Sequence, residues 1–260
     1  MSHQANYLSK KMSASDAVRL VRNGDAIVVS TGVGEPPALL TALSEQRRDF
    51  TGVRVSQVLG MRKYGYLDPE TTQHIRNVAY FYGGGTRAGG QEGWVDFVPN
   101  YFSEIPLQIQ RGQIPADVVF SMASPMDAHG YFSLSLGADY TLAAIAKARA
   151  VVLEVNPNVP FAFGNCHVHI SQVAALVESD QPMLEVGLPN GRRADIMALG
   201  PKGDLVICEV KSGLEDFRTD LKWPEYRPYC DAFYFAVPEG FPQALLPPEH
   251  GLMVADSYGA

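Results

Sequence analysis

The feature that most limits what this chain can fold into is a change of pattern near residue 184. Between residues 13 and 178, β-branched runs alternate with amphipathic stretches. Beyond residue 184, strand-like runs follow one another across short turns. The first pattern is that of an open α/β sheet with helices on its faces, and the second is that of a β-meander. The expectation is a mixed α/β chain of two domains, 1–183 and 184–260. At 260 residues the chain is long enough for both.

In the first segment a helix is predicted from Ser15 and Asp16, with Ala17, Val18, Leu20 and Val21 apolar and Gly24 as its stop. Residues 26–30 form a β-branched run and read as a buried strand. Thr31-Gly32-Val33-Gly34 then turns into Pro36, Pro37 and a helix through Leu39, Leu40 and Leu43. Proline suits a helix start because its missing N–H has no partner there. Further strands are predicted at 53–59, 78–82, 117–121 and 150–155, and helices at 103–111, 140–148 and 171–178.

Two glycine loops stand out in this segment. Gly32 and Gly34 lie between a strand and a helix, where backbone can approach a ligand closely and helix amides favour anions. Gly83-Gly84-Gly85-Thr86-Arg87 sets a cation beside a second loop. Neither fits G-x-G-x-x-G or a Walker pattern, which excludes dinucleotide and nucleoside-triphosphate readings. His129 falls in a turn, and His167 and His169 share one strand face beside Cys166. With no fourth ligand apparent, these histidines read as packing or hydrogen-bonding groups and not as a zinc site.

In the second segment, runs at 184–188, 192–199 and 205–211 are separated by Pro189-Asn190-Gly191 and Gly200-Pro201-Lys202-Gly203. A helical stretch at 214–229, broken at Pro224, and strands at 232–237 and 251–255 follow. A hairpin centred on Lys202 pairs Leu199 with Leu205. It therefore sets Asp195 opposite Glu209, about 5 Å away at Cβ. Lys211 points the same way as Glu209, because side chains alternate along a strand. Two carboxylates beside a lysine suit Mg2+ or Mn2+, since magnesium takes oxygen ligands and keeps several waters. Such an ion lowers the pKa of a bound water and stabilises a phosphoryl transition state. Lys211 would orient or deprotonate that water, or neutralise charge on the leaving phosphate. A bare D…ExK pattern also fits an ordinary surface Glu–Lys pair. Here Leu205, Val206, Ile207 and Cys208 make the strand apolar on both faces, and buried charge needs a partner or a metal. Glu185 is a candidate third carboxylate. A three-residue turn at 189–191 sets it opposite Asp195; a two-residue turn sets it on the other face.

The run GRRADIMALGPKGDLVICEVKSGLEDF, with the rest of the segment to residue 260, resembles the MmcB family of DNA-repair proteins. That family belongs to the PD-(D/E)xK, restriction-endonuclease-like superfamily. The resemblance implies a nuclease-like fold, with Asp195 and Glu209 as metal ligands, Lys211 as the catalytic lysine and DNA as a partner. It also implies that Arg192, Arg193, Lys222, Trp223 and Tyr226 lie near the site or the nucleic acid. Trp223 and Tyr226, three residues apart, read by themselves as core. The superfamily's fold has a helix before the meander; here it is either missing or supplied by residues 171–178.

STGVGEPPALLTAL, at 30–43, and the long stretch 95–182 are similar to the N-terminal half of the acetyl-CoA hydrolase/transferase family. The resemblance covers about residues 10–183 and implies an α/β CoA-transferase domain with CoA or acyl-CoA as ligand. It implies that the loop of Gly32, Val33, Gly34 and Pro37 lines the acyl-CoA cleft together with segment 124–131. The family's nucleophile is a glutamate that forms an acyl anhydride and then a glutamyl-CoA thioester. It sits in the second half of the family's chain, which nothing after residue 184 resembles. Glu35 and Glu154 are not at matching positions. The expectation is a chain with no CoA-transferase turnover by itself, whose uncovered transferase surface favours self-association.

Charge excludes a globally basic nucleic-acid binder. The chain carries a net −7, and residues 185–260 hold 7 Lys+Arg against 12 Asp+Glu. Any DNA contact must therefore come from a local patch. No run of eighteen apolar residues exists, and the N-terminus lacks the apolar stretch of a signal peptide. No membrane association and a cytoplasmic location are expected. Cys166, Cys208 and Cys230 are too few and too widely spaced for a disulfide framework, in keeping with a reducing compartment.

Overall fold

A computed structural model describes residues 2–180, 183–188, 190–199 and 204–255, with all their side chains except those of 136, 183–187 and 199. The turn at 200–203 and Pro189 thus lie outside the described residues. The chain divides into two compact units, Met1–Asp180 and Gln181–Ala260.

The first unit opens with α1 (His3–Lys10) and α2 (Ala14–Val18). Then follow β1 (Ala26–Val29), α3 (Pro37–Glu45), β2 (Val53–Gln57) and β3 (Ile75–Ala79). After them come α4 (Arg87–Glu92), β4 (Val95–Phe97), α5 (Ile105–Gln110) and β5 (Val118–Ala123). The unit ends with β6 (Tyr131–Ser133), α6 (Thr141–Ile145), β7 (Ala150–Val155), β8 (His167–His169) and β9 (Ala175–Glu178). Seven of these strands form one parallel sheet in the order β4-β3-β2-β1-β5-β7-β9, and β6 pairs with β8 in a small antiparallel sheet.

A parallel sheet must bury both faces, and the central strands are apolar on both. Ile27, Val29, Val55, Phe120 and Val152 pack with Ala17 and Val18 of α2 and Leu39, Leu40 and Leu43 of α3. Val28, Val119 and Leu153 pack on the opposite side with Ile105 and Ile109 of α5 and Ala144 and Ile145 of α6. The pattern of strands alternating with helices is the one expected.

Three local readings are corrected. Residues 171–178 are not a helix: Ile170–Gln172 make one 3-10 turn and Ala175–Glu178 form β9, paired with β7. Short apolar runs do not distinguish a buried strand from a helix, and the open edge of β7 decides here. These residues therefore supply no helix to the second unit. The strand expected at 78–82 lies three residues earlier, as β3. Helix α1 escaped notice because it buries no residue; its start is fixed by the Ser2 hydroxyl accepting the Ala5 amide at 3.2 Å.

The second unit consists of β10 (Met183–Gly187), β11 (Arg193–Leu199), β12 (Leu205–Val210), α7 (Leu214–Thr219), β13 (Ala232–Pro238) and β14 (Gly251–Ala255). They form a five-stranded sheet in that strand order, antiparallel from β10 to β12 and parallel from β12 to β14. Trp223–Tyr229, a 3-10 stretch, follows α7 and carries Pro228 inside it. Phe217 of α7 meets the Phe235 ring edge-on at 5.6 Å, and Trp223 meets it at 5.2 Å. Both therefore cover the face that carries Ile207, Phe233 and Phe235, all within 2% of full burial. Among the described residues no helix is long and apolar enough to cross a membrane.

Phe120 is fully buried at the centre of the first unit's sheet. Phe120→Ala should cost about 3–5 kcal/mol through lost contacts and a cavity. Hydrogen exchange of the β1, β5 and β7 amides under native conditions measures it; a loss below about 1 kcal/mol would contradict this packing.

Candidate functional site

The register of β11 against β12 builds the polar centre of the second unit. Ile196 pairs with Cys208, Met197 with Ile207 and Leu199 with Leu205. One step further, the Asp195 amide donates to Glu209 Oε1 at 3.2 Å, and the Val210 amide donates to Asp195 Oδ2 at 2.9 Å. Glu209 and Lys211 are each 3% exposed. Lys211 Nζ donates to Glu209 Oε2 at 3.2 Å and to Asp220 Oδ2 at 2.5 Å.

An open pocket of about 820 Å³ is lined by Asp195, Glu209, Lys211 and Asp220, and also by Arg192, Arg193 and Lys222. The structure thus brings Asp195, Glu209, Lys211, Arg192, Arg193 and Lys222, six of the residues named from the sequence, around one pocket. Arg192 is engaged by Glu225 through two bonds, Nε to Oε2 at 2.8 Å and Nη2 to Oε1 at 2.9 Å. Lys222 forms no ion pair among the described residues. Tyr226 is buried and Trp223 packs against the same core. The β10–β11 register pairs Leu184 with Ile196 and Val186 with Ala194, which sets the backbone of Glu185 level with Asp195. The Glu185 side chain lies outside the described residues. Among those residues, no group of three or more His, Cys, Asp and Glu side chains is arranged to hold a metal ion.

Electrostatics single out this cluster. Burial, and then the neighbouring Asp195 charge, push the Glu209 carboxyl from 4.5 up to about 7. Burial pulls the Lys211 ammonium down, but Asp220 and Glu209 outweigh it and its pKa is raised. Burial likewise pushes the Asp220 carboxyl up, and the Lys211 hydrogen bond outweighs that and holds it below the usual range. Asp220 was missed by sequence reasoning. It lies nine residues beyond Lys211, past a helix, where no strand periodicity points to it.

In the first unit the loop of Gly32, Val33 and Gly34 is a 3-10 turn between β1 and α3, and Pro37 is the first residue of α3. Gly32 has φ +54°, a conformation that favours glycine. A side-chain carbon on Gly34 would stand 2.8 Å from Gly137 Cα, so the two loops touch through backbone. Strand order reverses between β1 and β5, which makes their carboxyl ends a topological switch point. The loop of Gly32–Gly34 and the segment 124–131 both begin at that end. Glycines 83 and 85 line a cavity of only about 10 Å³, room for at most one water.

Two buried glutamates sit close by. Glu35 accepts from Tyr64 Oη at 2.7 Å, Gln57 Nε2 at 2.9 Å and the Met61 amide at 2.9 Å. Glu154, fully buried, accepts from the Ala38 and Leu39 amides at the start of α3, at 2.9 and 3.1 Å. Burial raises the pKa of both carboxyls.

Residues 1–186 match the family model of the acetyl-CoA hydrolase/transferase N-terminal domain. The chain belongs to that family. Residues 168–260 match the model described as DNA repair protein MmcB-like, so an MmcB-like domain is present as well. Succinyl-CoA:cyclohexane-1-carboxylate CoA transferase of Geobacter metallireducens is 39% identical over 72% of this chain and 43% of its own length. The 4-hydroxybutyrate coenzyme A transferase of Clostridium kluyveri is 32% identical over 73% of this chain and 44% of its own. The crystal structure of RipA from Yersinia pestis superposes with a TM-score of 0.66 at 31% identity, covering 72% of this chain and 46% of RipA. The chain spans less than half the length of these curated relatives. CoA-transferase homology extends across the first unit.

The raised Glu209 pKa has a signed consequence. A proton held more tightly in the folded state stabilises it fully below the ordinary value of 4.5, and that contribution is lost as pH rises through about 7. Without divalent ions, the second unit should therefore lose stability between those values, and Glu209→Gln should flatten the slope. Exchange rates of the β11 and β12 amides across pH 4–8 read this directly. An identical slope in the variant would remove Glu209 as the titrating group.

Proposed function

We propose that the chain joins two modules of unrelated chemistry. The second is a metal-dependent, nuclease-like module acting on DNA; the first is an acyl-CoA-binding domain that does not turn over by itself.

The observation that carries the nuclease reading is the convergence of Asp195, Glu209 and Lys211 in one cation-rimmed pocket. The donor set suits Mg2+ or Mn2+. Both acids offer oxygen, and the like-charge repulsion that raises the Glu209 pKa is what a cation would relieve. Asp195 and Glu209 would hold the ion, which when bound supplies an acidified water and charge stabilisation at a phosphoryl group. Lys211, an ammonium between two carboxylates, is suited to facing a phosphate oxygen and poorly suited to accepting a proton. Lys222 at the rim would neutralise a neighbouring phosphate, and Arg192 would do so on leaving Glu225.

The acyl-CoA reading is supported by the family match over residues 1–186 and by the two loops at the switch point, formed in part by Gly32, Val33, Gly34 and Pro37. That this chain lacks its own nucleophile is supported by the two buried glutamates. Glu35 spends both oxygens on three protein donors; Glu154 spends Oε2 on the start of α3, and its Oε1 is shut away from the surface. A nucleophile needs an unengaged carboxylate oxygen facing the acyl carbon. Phe81, Tyr101, Phe102 and Phe163 are each more than half exposed, which supports association with a second chain over this unit.

Incubation of the chain with single- and double-stranded DNA in Mg2+ or Mn2+ tests the first module. Cleavage should appear with either ion and fall by about 100-fold or more in Lys211→Ala. Absence of cleavage on every DNA form, with no Mn2+ binding by calorimetry, removes the nuclease reading. Calorimetry with acetyl-CoA tests the first unit: binding is expected, and acyl exchange by the chain alone would overturn the claim of a missing nucleophile.

A further inference from the structure

Lys211 is held by more than the motif that contains it. An ammonium has three donors. Glu209 takes one at 3.2 Å and Asp220 takes another at 2.5 Å, which leaves the third for whatever enters the pocket that Lys211 lines. The Asp220 carboxylate is itself fixed. Its Oδ1 accepts the Lys222 amide at 2.9 Å, so it cannot swing away from the end of α7 without losing that bond. The start of α7 is fixed in turn, because the Ser212 amide and hydroxyl both donate to Asp216 Oδ2 at 2.9 Å. The segment from β12 to Lys222 is thus a short tether with a carboxylate at its far end, aimed back at Lys211.

An exposed ion pair would carry little meaning, since such pairs contribute on the order of 0–1 kcal/mol. This one has side chains 4% and 17% exposed and opens on the pocket. Glu209 is a poor sole anchor for the ammonium, because its other oxygen accepts the Asp195 amide and, under the reading above, it also faces a cation. A four-carbon side chain with one weak anchor wanders, and about 1 Å of misplacement costs on the order of 100-fold in rate.

We propose that Asp220 is a positioning residue that fixes the Lys211 ammonium at the Asp195–Glu209 pair, from the helix side of the pocket. The role in catalysis rests on the nuclease reading; the positioning itself does not.

The test uses the full chain and the variants Asp220→Asn, Asp220→Glu and Asp195→Ala. Asp220→Asn keeps the shape and the acceptor for the Lys222 amide, and circular dichroism with a thermal melt confirms that it folds. Acylation of Lys211 by an amine reagent, read by mass spectrometry against Lys222 in the same chain, reports how tightly the ammonium is held. Asp220→Asn should raise the Lys211 rate about tenfold, and Asp220→Glu should restore most of the protection. Mn2+ affinity should stay within about twofold of the parent in Asp220→Asn and fall in Asp195→Ala, while kcat for DNA cleavage drops about 10- to 100-fold at unchanged KM. Unchanged labelling in Asp220→Asn overturns the proposal, and so does a loss of Mn2+ affinity as large as in Asp195→Ala, which would make Asp220 a ligand. If the parent cleaves no DNA while Asp220→Asn still frees Lys211, the nuclease reading fails and the positioning role stands.

Discussion

The meeting of Asp195 and Glu209 in the second unit depends on the pairing of β11 with β12. With Ile196 opposite Cys208, Asp195 meets Glu209 and shares two backbone–carboxylate hydrogen bonds with that strand. A slip of one residue would turn Asp195 to the opposite face and leave Glu209 buried without its neighbour. The register is held by apolar side chains: Ile207 is fully buried and packs with Phe233 and Phe235 beneath Phe217 and Trp223. The core therefore specifies the site. The site in turn costs the core stability, because two acids and a lysine occupy positions that hydrophobic residues would fill at lower cost.

The first unit places its chemistry by topology instead. Its strands are all parallel, so every loop at one end of the sheet follows a strand carboxyl end. Where the order reverses between β1 and β5, the neighbouring loops diverge and leave a crevice. The backbones of Gly34 and Gly137 approach closely beside it, which favours glycine at both positions because a side-chain carbon would crowd the other backbone. Glu154 reaches across from β7 to satisfy the first amides of α3, which ties the helix after the glycine turn to the far half of the sheet.

How much of this was legible beforehand follows from how far each signal reaches along the chain. The hairpin at 195–209 could be read because its two turn-flanking leucines fix a pairing sum, and every other pair follows from it. Strands β1 and β7 could be read because their β-branched runs are bounded by turns. Residues 175–178 could not, because a four-residue apolar run is silent on whether it will find a neighbouring strand, and the neighbour, β7, is some twenty residues away. Asp220 was illegible for a related reason. Its partner is fixed by where α7 ends relative to β12, which is a property of packing and leaves no periodic trace in sequence.

The contrast between the buried carboxylates of the two units argues for where chemistry resides. Glu35 and Glu154 are deeply buried, yet each is met by neutral donors placed for it, three for Glu35 and two amides for Glu154. Glu35 is satisfied at both oxygens, whereas the two amides that meet Glu154 reach only its Oε2. Glu209 is different, since its nearest carboxylate neighbour adds repulsion to the cost of burial. A protein that only needed stability would relieve that repulsion by replacing either acid. The Lys211 ammonium offsets that repulsion only in part, since the Glu209 pKa stays raised, and a carboxylate so perturbed beside an open pocket is a candidate functional group. The pocket beside Glu209 is open and lined by both acids and cations, so a ligand with a positive centre and negative groups around it would suit it. A divalent ion with a phosphodiester meets that description.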